Sequence, residues 1–397
     1  MIFKKKNTNT SNKNNNLYSI LIIADKLNFG DTTKNIIDLS NYLTANNVNV
    51  FLIVRDAKQQ KLLDHKVNII FNKHFIGNIF FTRKYIQNLC KKNKIDVVLL
   101  YSLLNLSSIT KSIKKLKIPI ILYINNLFKI STRYHYNKYK AIERVDRIIV
   151  PTAYIAEFLI QHYKIDLSKI NIVLNGVDNT IYNNKNILGG RIANIIPAIG
   201  EDCLNKKIFL YPSKFVDYKG HLLLIEAISQ IKDKENKNFI CIFMGDFQNS
   251  IELRQTLLLK IQQLKLEPYI RIIDQLDDLS PIYSLSYAVM CVSQNDEGYS
   301  RIIEEAYLCE RPVIATNIGV FPKYVINTKT GYIVRKNSSV DISKAIDDLL
   351  SLAPSKYLIM CKNAKNYVDK YFSISSAMNN IQNIITNTIS GYCPNNK

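Results

Sequence analysis

The sequence predicts an α/β protein built from two successive doubly wound domains, on three observations. Its 397 residues exceed one ordinary core and suit two domains of roughly 150–200 residues. Short apolar runs without polar alternation recur along the chain, as strands covered on both faces do. Amphipathic stretches of helical period separate those runs, as crossover helices do.

In order, the apolar runs at residues 19–24 and 48–54 enclose an amphipathic stretch at 33–44. Further strands are predicted at 67–71, 97–101, 119–124, 147–150 and 171–174, with helices at 79–92, 107–116 and 154–163. Residues 183–205 break the rhythm with Gly189, Gly190, Pro197 and Gly200, which marks a linker over 187–205 between domains at 17–186 and 206–372. The alternation then resumes. Strands are predicted at 207–211, 239–244, 270–273, 288–292 and 313–315, and helices at 221–232, 250–264 and 301–308. A last amphipathic segment covers 375–389, within a C-terminal region at 373–397. Residues 1–16, polar and without periodicity, read as a disordered tail. In such folds ligands bind beyond the carboxyl ends of the strands, so site residues belong in the loops that follow them.

Composition excludes several classes. The net charge is +21, and residues 1–186 carry 29 Lys+Arg against 11 Asp+Glu while residues 187–397 carry 24 against 21. A basic first half suits a polyanion partner, either nucleic acid or an anionic membrane surface; the plainer alternative is a solvated basic face inflated by a Lys-rich composition. The chain holds no recognised nucleic-acid motif, so no nucleic-acid partner is expected. No apolar run nears the roughly 20 residues that span a bilayer, and residues 1–16 have no signal-peptide core. The expected location is the cytoplasm, with peripheral contact to the inner face of the membrane. Seven scattered cysteines without a C-x-x-C pair read as buried reduced thiols. None of His65, His74, His135, His162 and His221 forms a metal-like pair, and no metal is expected. The absence of G-x-G-x-x-G and of a Walker loop speaks against nicotinamide and P-loop chemistry.

The segment Asp296-Glu297-Gly298-Tyr299-Ser300-Arg301-Ile302-Ile303-Glu304-Glu305-Ala306 leads from a buried-looking strand into a helix. Gly298 permits close backbone approach, and the N–H groups of Tyr299, Ser300 and Arg301 point at an anion near the helix start. Glu297 and Glu305 can accept hydrogen bonds from sugar and ribose hydroxyls. The plainer alternative is a helix whose acidic first turn suits its dipole. This segment, with Pro312-Val313-Ile314-Ala315-Thr316 following it, resembles the E-x7-E motif of family 4 glycosyltransferases. Phe209 to His221, with Ile225-Glu226-Ala227, is similar to that family's G-R-L-x-x-x-K-G-x-x-x-L-I-E-A. There Lys219 matches the motif lysine and Lys214 stands at the arginine, next to Ser213. Ile172 to Tyr182 resembles I-P-N-G-V-D-x-x-x-F.

The resemblance covers roughly residues 17–385. It implies a GT-B fold of two Rossmann-like domains, a retaining sugar transfer from a UDP- or GDP-linked donor, no required cofactor or metal, and a final helix crossing back to the first domain. The acceptor it implies is a glycan or lipid-linked molecule of the cell envelope, a lipopolysaccharide core among them. On this reading Lys214, Lys219 and the helix start after Gly298 stabilise the departing diphosphate. Glu297 orients the sugar and Glu305 holds ribose hydroxyls. A lysine at the arginine position keeps the charge and loses the bidentate fork. Two departures fall in the first domain. Asn28-Phe29-Gly30-Asp31 places Asp31 where the second glycine of a Gly-Gly pair stands, and Asn125 occupies the position of a histidine. These two leave open a sugar-nucleotide-binding protein without turnover.

Overall fold

The computed structural model describes residues 17–28, 30–72, 79–101, 103, 106–127, 140–184, 189–246 and 251–392. The tail read at 1–16, Phe29, His74, His135, the aromatic stretch at 134–139 and Cys393 lie outside the described residues.

Thirteen strands among these residues form two sheets. The first contains β1 (Ser19–Ile23), β2 (Asn49–Val54), β3 (Asn68–Phe71), β4 (Val97–Leu100), β5 (Ile120–Tyr123), β6 (Arg147–Val150) and β7 (Ile170–Ile172), in the order β3-β2-β1-β4-β5-β6-β7. The second contains β8 (Lys207–Pro212), β9 (Phe239–Gly245), β10 (Ile270–Asp274), β11 (Ser286–Cys291), β12 (Val313–Thr316) and β13 (Gly331–Val334), in the order β10-β9-β8-β11-β12-β13. The pairings are parallel. Parallel pairing needs crossovers and buries both faces. That is why β4 and β9 read as continuous apolar runs, buried throughout.

Each sheet reverses its winding once, between β1 and β4 in the first and between β8 and β11 in the second. Such a switch point leaves a crevice at the strand ends, because successive crossovers depart to opposite sides.

The chain divides into two compact units. One comprises residues 1–123, 130–149 and 382–397, and the other residues 124–129 and 150–381. The core of the second is aromatic. Phe209, Tyr211, Phe215, Phe239 and Phe243 lie within it, closed by Leu224, Ile228, Leu257 and Ile346. Within the stretch read as a linker, Gly189–Ala193, Ile196–Ile199 and Glu201–Asn205 form short helical turns. Ile199 and Cys203 are buried there, and Arg271 on β10 bonds Asp202 at 2.9 Å.

Several elements went unread, among them β13, two long helices and the short helices Ser280–Leu285 and Phe321–Tyr324. Strand β13 opens on glycine and its middle residues are only partly buried, so it shows no continuous apolar run. The helices Ser339–Leu350 and Pro354–Tyr371 carry legible signals. Ser338 caps the first by accepting from the N–H of Asp341 at 3.1 Å, and Pro354 opens the second in the position where its missing N–H costs nothing. The six described cysteines are buried, and no disulfide joins them. No helix among the described residues is long and apolar enough to cross a membrane.

Candidate functional site

Two loops flank the switch point of the second sheet, one after β8 and one after β11. The β8 loop begins at Ser213, whose N–H donates to Met244 at 2.9 Å and so extends the pairing with β9 by one residue. A methyl group at Gly245 would stand 2.3 Å from the Ser213 carbonyl and 3.0 Å from the Phe215 ring, so only glycine lets this loop settle there. Phe215 stacks on His221 at 4.5 Å, and the imidazole also meets Tyr211 at 4.8 Å and Phe243 at 5.5 Å. The ring is 2% exposed, and neither nitrogen has a hydrogen-bond partner among the described residues. Burial, with the nearby Lys219 ammonium second, lowers its pKa to about 3. His221 is therefore a neutral aromatic wedge at the start of its helix.

The loop then turns through Asp217–Lys219 into Gly220, at φ +82°. A side chain at Gly220 would be strained by that φ and would strike the Val292 carbonyl at 2.6 Å. The Tyr211 hydroxyl donates to the Lys219 carbonyl. These anchors aim Lys219 at the neighbouring loop.

That loop runs from Val292 to Ser300. The Gln294 N–H donates to the Tyr218 carbonyl at 2.7 Å and joins the two loops. Glu297 is clamped through its backbone. Its carbonyl accepts from the Val320 N–H at 2.9 Å, and Gly319, at φ +49°, approaches so closely that a methyl there would be 2.1 Å from the same oxygen. Gly298 donates no side chain because none fits: a methyl would lie 2.7 Å from Ile155 and 3.2 Å from Leu127. Its carbonyl accepts from the Thr152 hydroxyl at 2.7 Å, the same hydroxyl that caps the helix Ala153–Tyr163.

The two loops meet in an ion pair between the Lys219 ammonium and Glu297 Oε1, each side chain 17% exposed. Ser293 donates its hydroxyl to the same oxygen at 2.7 Å. An ammonium and a carboxylate thus stand together, partly open to solvent, at the switch point.

The other expected residues fall around them. Lys214 lies on the β8 loop, exposed, with no side-chain ion pair among the described residues. Ser213, Gly298, Tyr299, Ser300 and Arg301 are buried. The Tyr299 hydroxyl donates to Glu304 at 2.8 Å, a buried bond not anticipated from sequence. Glu305 is 2% exposed and pairs with Arg301 at 3.5 Å. Tyr182 and Tyr283 pack edge to face at 5.8 Å against this carboxylate. Burial first, and the Glu305 charge second, pushes both phenols well above their ordinary range. Asn125 is buried and accepts from the Asn175 side chain at 3.2 Å. Gly30 and Asp31 belong to the other unit. Gly30, at φ 137°, caps the helix Asp31–Ala45, and Asp31 fills its first turn. Sequence reasoning missed Ser293, Thr152 and Gly319, which act through loop contacts that no spacing announces.

Residues 196–367 match the model of "Glycosyl transferases group 1", and residues 33–180 match "Glycosyltransferase Family 4". Spore coat protein SA of Bacillus subtilis is 25% identical over 218 residues, which is 53% of this chain and 57% of that protein. D-inositol 3-phosphate glycosyltransferase of Corynebacterium aurimucosum is 24% identical over 255 residues, 63% and 58% of the two chains. The match thus spans little more than half the length of these curated relatives. Among solved structures, a glycosyltransferase from Rickettsia africae superposes with a TM-score of 0.84 at 22% identity, covering 94% of this chain and 99% of that one. Anabaena HepE, solved with UDP, gives 0.79 at 17% identity over 93% and 99%. WaaG, described as a glycosyltransferase involved in lipopolysaccharide biosynthesis, gives 0.71 at 16% identity over 92% and 99%. The shared fold is GT-B.

Proposed function

The chain belongs to the glycosyltransferases that join a family 4 domain to a group 1 domain, and from that premise we propose that it is a retaining transferase. It moves a sugar from a UDP- or GDP-linked donor to a glycan or lipid-linked acceptor of the cell envelope.

The observation that carries this reading is the Lys219–Glu297 pair on the two loops flanking the switch point. A diphosphate placed there meets the Lys219 ammonium, and the exposed Lys214 on the same loop supplies a second charge. A unit charge pair at ~4 Å contributes ~4 kcal/mol at an effective dielectric of ~20. The start of the helix Arg301–Leu308 adds its dipole. Together these favour departure of the diphosphate, the step where negative charge develops. We assign no metal to that step, since the lysines supply the positive charge. Glu297 orients the sugar, and we assign ribose hydroxyls to Glu305, which is 2% exposed beside Arg301, so a donor reaches it once the side chains around it move. Catalysis on this account rests on positioning and electrostatics. A UDP-glucose complex of HepE supports the choice of donor class.

For the acceptor, support comes from the basic first half, 29 Lys+Arg against 11 Asp+Glu over residues 1–186, and from the likeness to WaaG. About 1 kcal/mol per basic residue near an anionic surface makes several sufficient for peripheral attachment, which fits a cytoplasmic enzyme working at the inner face of a membrane. Lys91, Lys92, Lys111 and Lys115, all exposed, are the residues we assign to it; Lys114, which the sequence places with them, is instead paired with Asp146 at 2.6 Å.

The test is a panel of UDP- and GDP-sugars read by thermal shift and by turnover. A bound donor at 100 times its Kd raises stability by about 2.7 kcal/mol. One donor should both stabilise and turn over. Stabilisation without turnover would instead mark a binding protein, and no response to any sugar nucleotide would end the reading. Flotation with vesicles should favour anionic over neutral lipid; equal flotation would remove the membrane part.

A further inference from the structure

We propose that Ser293 is a positioning residue, one that commits a single oxygen of Glu297 to the protein so that the other faces the donor sugar. This rests on the donor reading above and deepens it.

The carboxylate of Glu297 is divided unequally. Oε1 accepts both the Ser293 hydroxyl, at 2.7 Å, and the Lys219 ammonium. Oε2 has no hydrogen-bond partner among the described residues, while the side chain retains 17% exposure. A carboxylate is an acceptor only. With its first oxygen saturated by two donors, the second can serve only a donor arriving from outside, and a sugar hydroxyl is such a group.

Ser293 is itself fixed. It is 3% exposed, and its carbonyl accepts from the hydroxyl of Thr316 at 2.8 Å. Thr316, fully buried at the end of β12, thereby ties the β11 loop to the next strand. Lys219 alone could not set the orientation of Glu297. Its ammonium is a rotatable point charge, and on the proposed path it turns to the diphosphate once the donor arrives. Ser293 would then be the remaining protein donor on Oε1. The hydroxyl keeps the carboxylate aimed while its ionic partner is occupied elsewhere.

The experiment uses the full chain and its variants S293A, S293T, E297Q and the double variant S293A/E297Q. Each is titrated with UDP and UDP-glucose, and with GDP and GDP-mannose, and the tighter pair is carried into rate measurements. S293A should bind the sugar nucleotide about tenfold more weakly while binding the bare nucleotide diphosphate within about twofold of wild type. S293T, which keeps the hydroxyl, should recover most of the loss. In the E297Q background the S293A substitution should cost nothing further, because the two residues act as one unit. A merely structural serine would weaken both ligands alike and add its effect to that of E297Q; either result overturns the assignment, as does S293A binding like wild type. Failure of the donor reading shows differently, in a wild-type chain that binds neither UDP nor GDP, and the assignment falls with it.

Discussion

At the switch of the second sheet, β8 and β11 lead into loops that carry an ammonium and a carboxylate in contact. At the switch of the first, β1 leads toward Gly30 and Asp31, and β4 leads into Tyr101. Tyr101 stacks on Tyr123 at 4.8 Å and donates its hydroxyl to Asn35 at 2.5 Å. The winding rule is the same in both sheets, so the same kind of crevice arises twice. What differs is how each is furnished. The second is locked by Gly220, Gly245 and Gly319 and by bonds between loops, which hold two opposite charges that would otherwise be solvated apart. The first ends in an aromatic pair and an acidic helix start. Topology supplies the place, then, and the local glycines decide whether charged side chains can be held there.

The largest test of that contrast is Lys219→Ala. Removing one preorganised charge at a developing anion costs about 10²–10³-fold in turnover. The variant should lose that much while its circular dichroism and Tm stay near wild type. Unchanged donor turnover would show that the pair at the second switch point is not the seat of the chemistry.

Next comes Gly319→Ala, which touches no substrate. The added methyl meets the Glu297 carbonyl at a position whose φ of +49° already disfavours alanine. Strain of this kind costs roughly 1–3 kcal/mol, and a shift of ~1 Å in Glu297 can cost up to about 10²-fold in rate. Lower Tm with lower kcat is the expected outcome, read by calorimetry and initial rates. A variant matching wild type in both would mean that the clamp on Glu297 is slack.

A smaller effect separates packing from chemistry within the same loop. His221 titrates near 6.5 when unfolded and at about 3 when folded. The folded pKa lies below the unfolded one, so above pH 6.5 both states are neutral and stability is complete. As pH falls from about 6.5 toward 3, the unfolded chain binds the proton first, and His221 costs about 1.4 kcal/mol per pH unit. His221→Phe keeps an aromatic wedge and removes the titration. Urea unfolding should show a pH slope shallower by one proton across that window. Parallel slopes would mean that the imidazole is solvated.

Much of this was legible in advance. The βα alternation announced both sheets, because a strand buried on both faces has no polar residue to interrupt it. The spacing of Glu297 and Glu305 and the Lys219-Gly220 pair announced the loops. Ser293 was not legible: its bond to Glu297 crosses a loop, where an interval of four residues carries no helical meaning. Gly319 was visible as a glycine, but its contact with Glu297 comes from the turn after β12, which is adjacent only in the folded sheet. His221 read as the mere start of a helix, since burial of an imidazole depends on Tyr211, Phe215 and Phe243 arriving from two strands and a loop.

The smallest expected effect lies at the first switch point, in Asp31→Asn. Asp31 is the acidic residue in the first turn of Asp31–Ala45, and Gly30 caps that helix without a side-chain bond. A carboxylate in a first turn stabilises a helix by roughly 0.3–1 kcal/mol through the dipole. Replacing it with an amide should lower Tm by about 1–3 °C for a domain of this size, and salt should shrink the difference. Donor affinity should stay within about twofold, because the charge serves the helix rather than the ligand. A donor that binds the variant tenfold more tightly would show the opposite, that the Asp31 charge opposes the diphosphate.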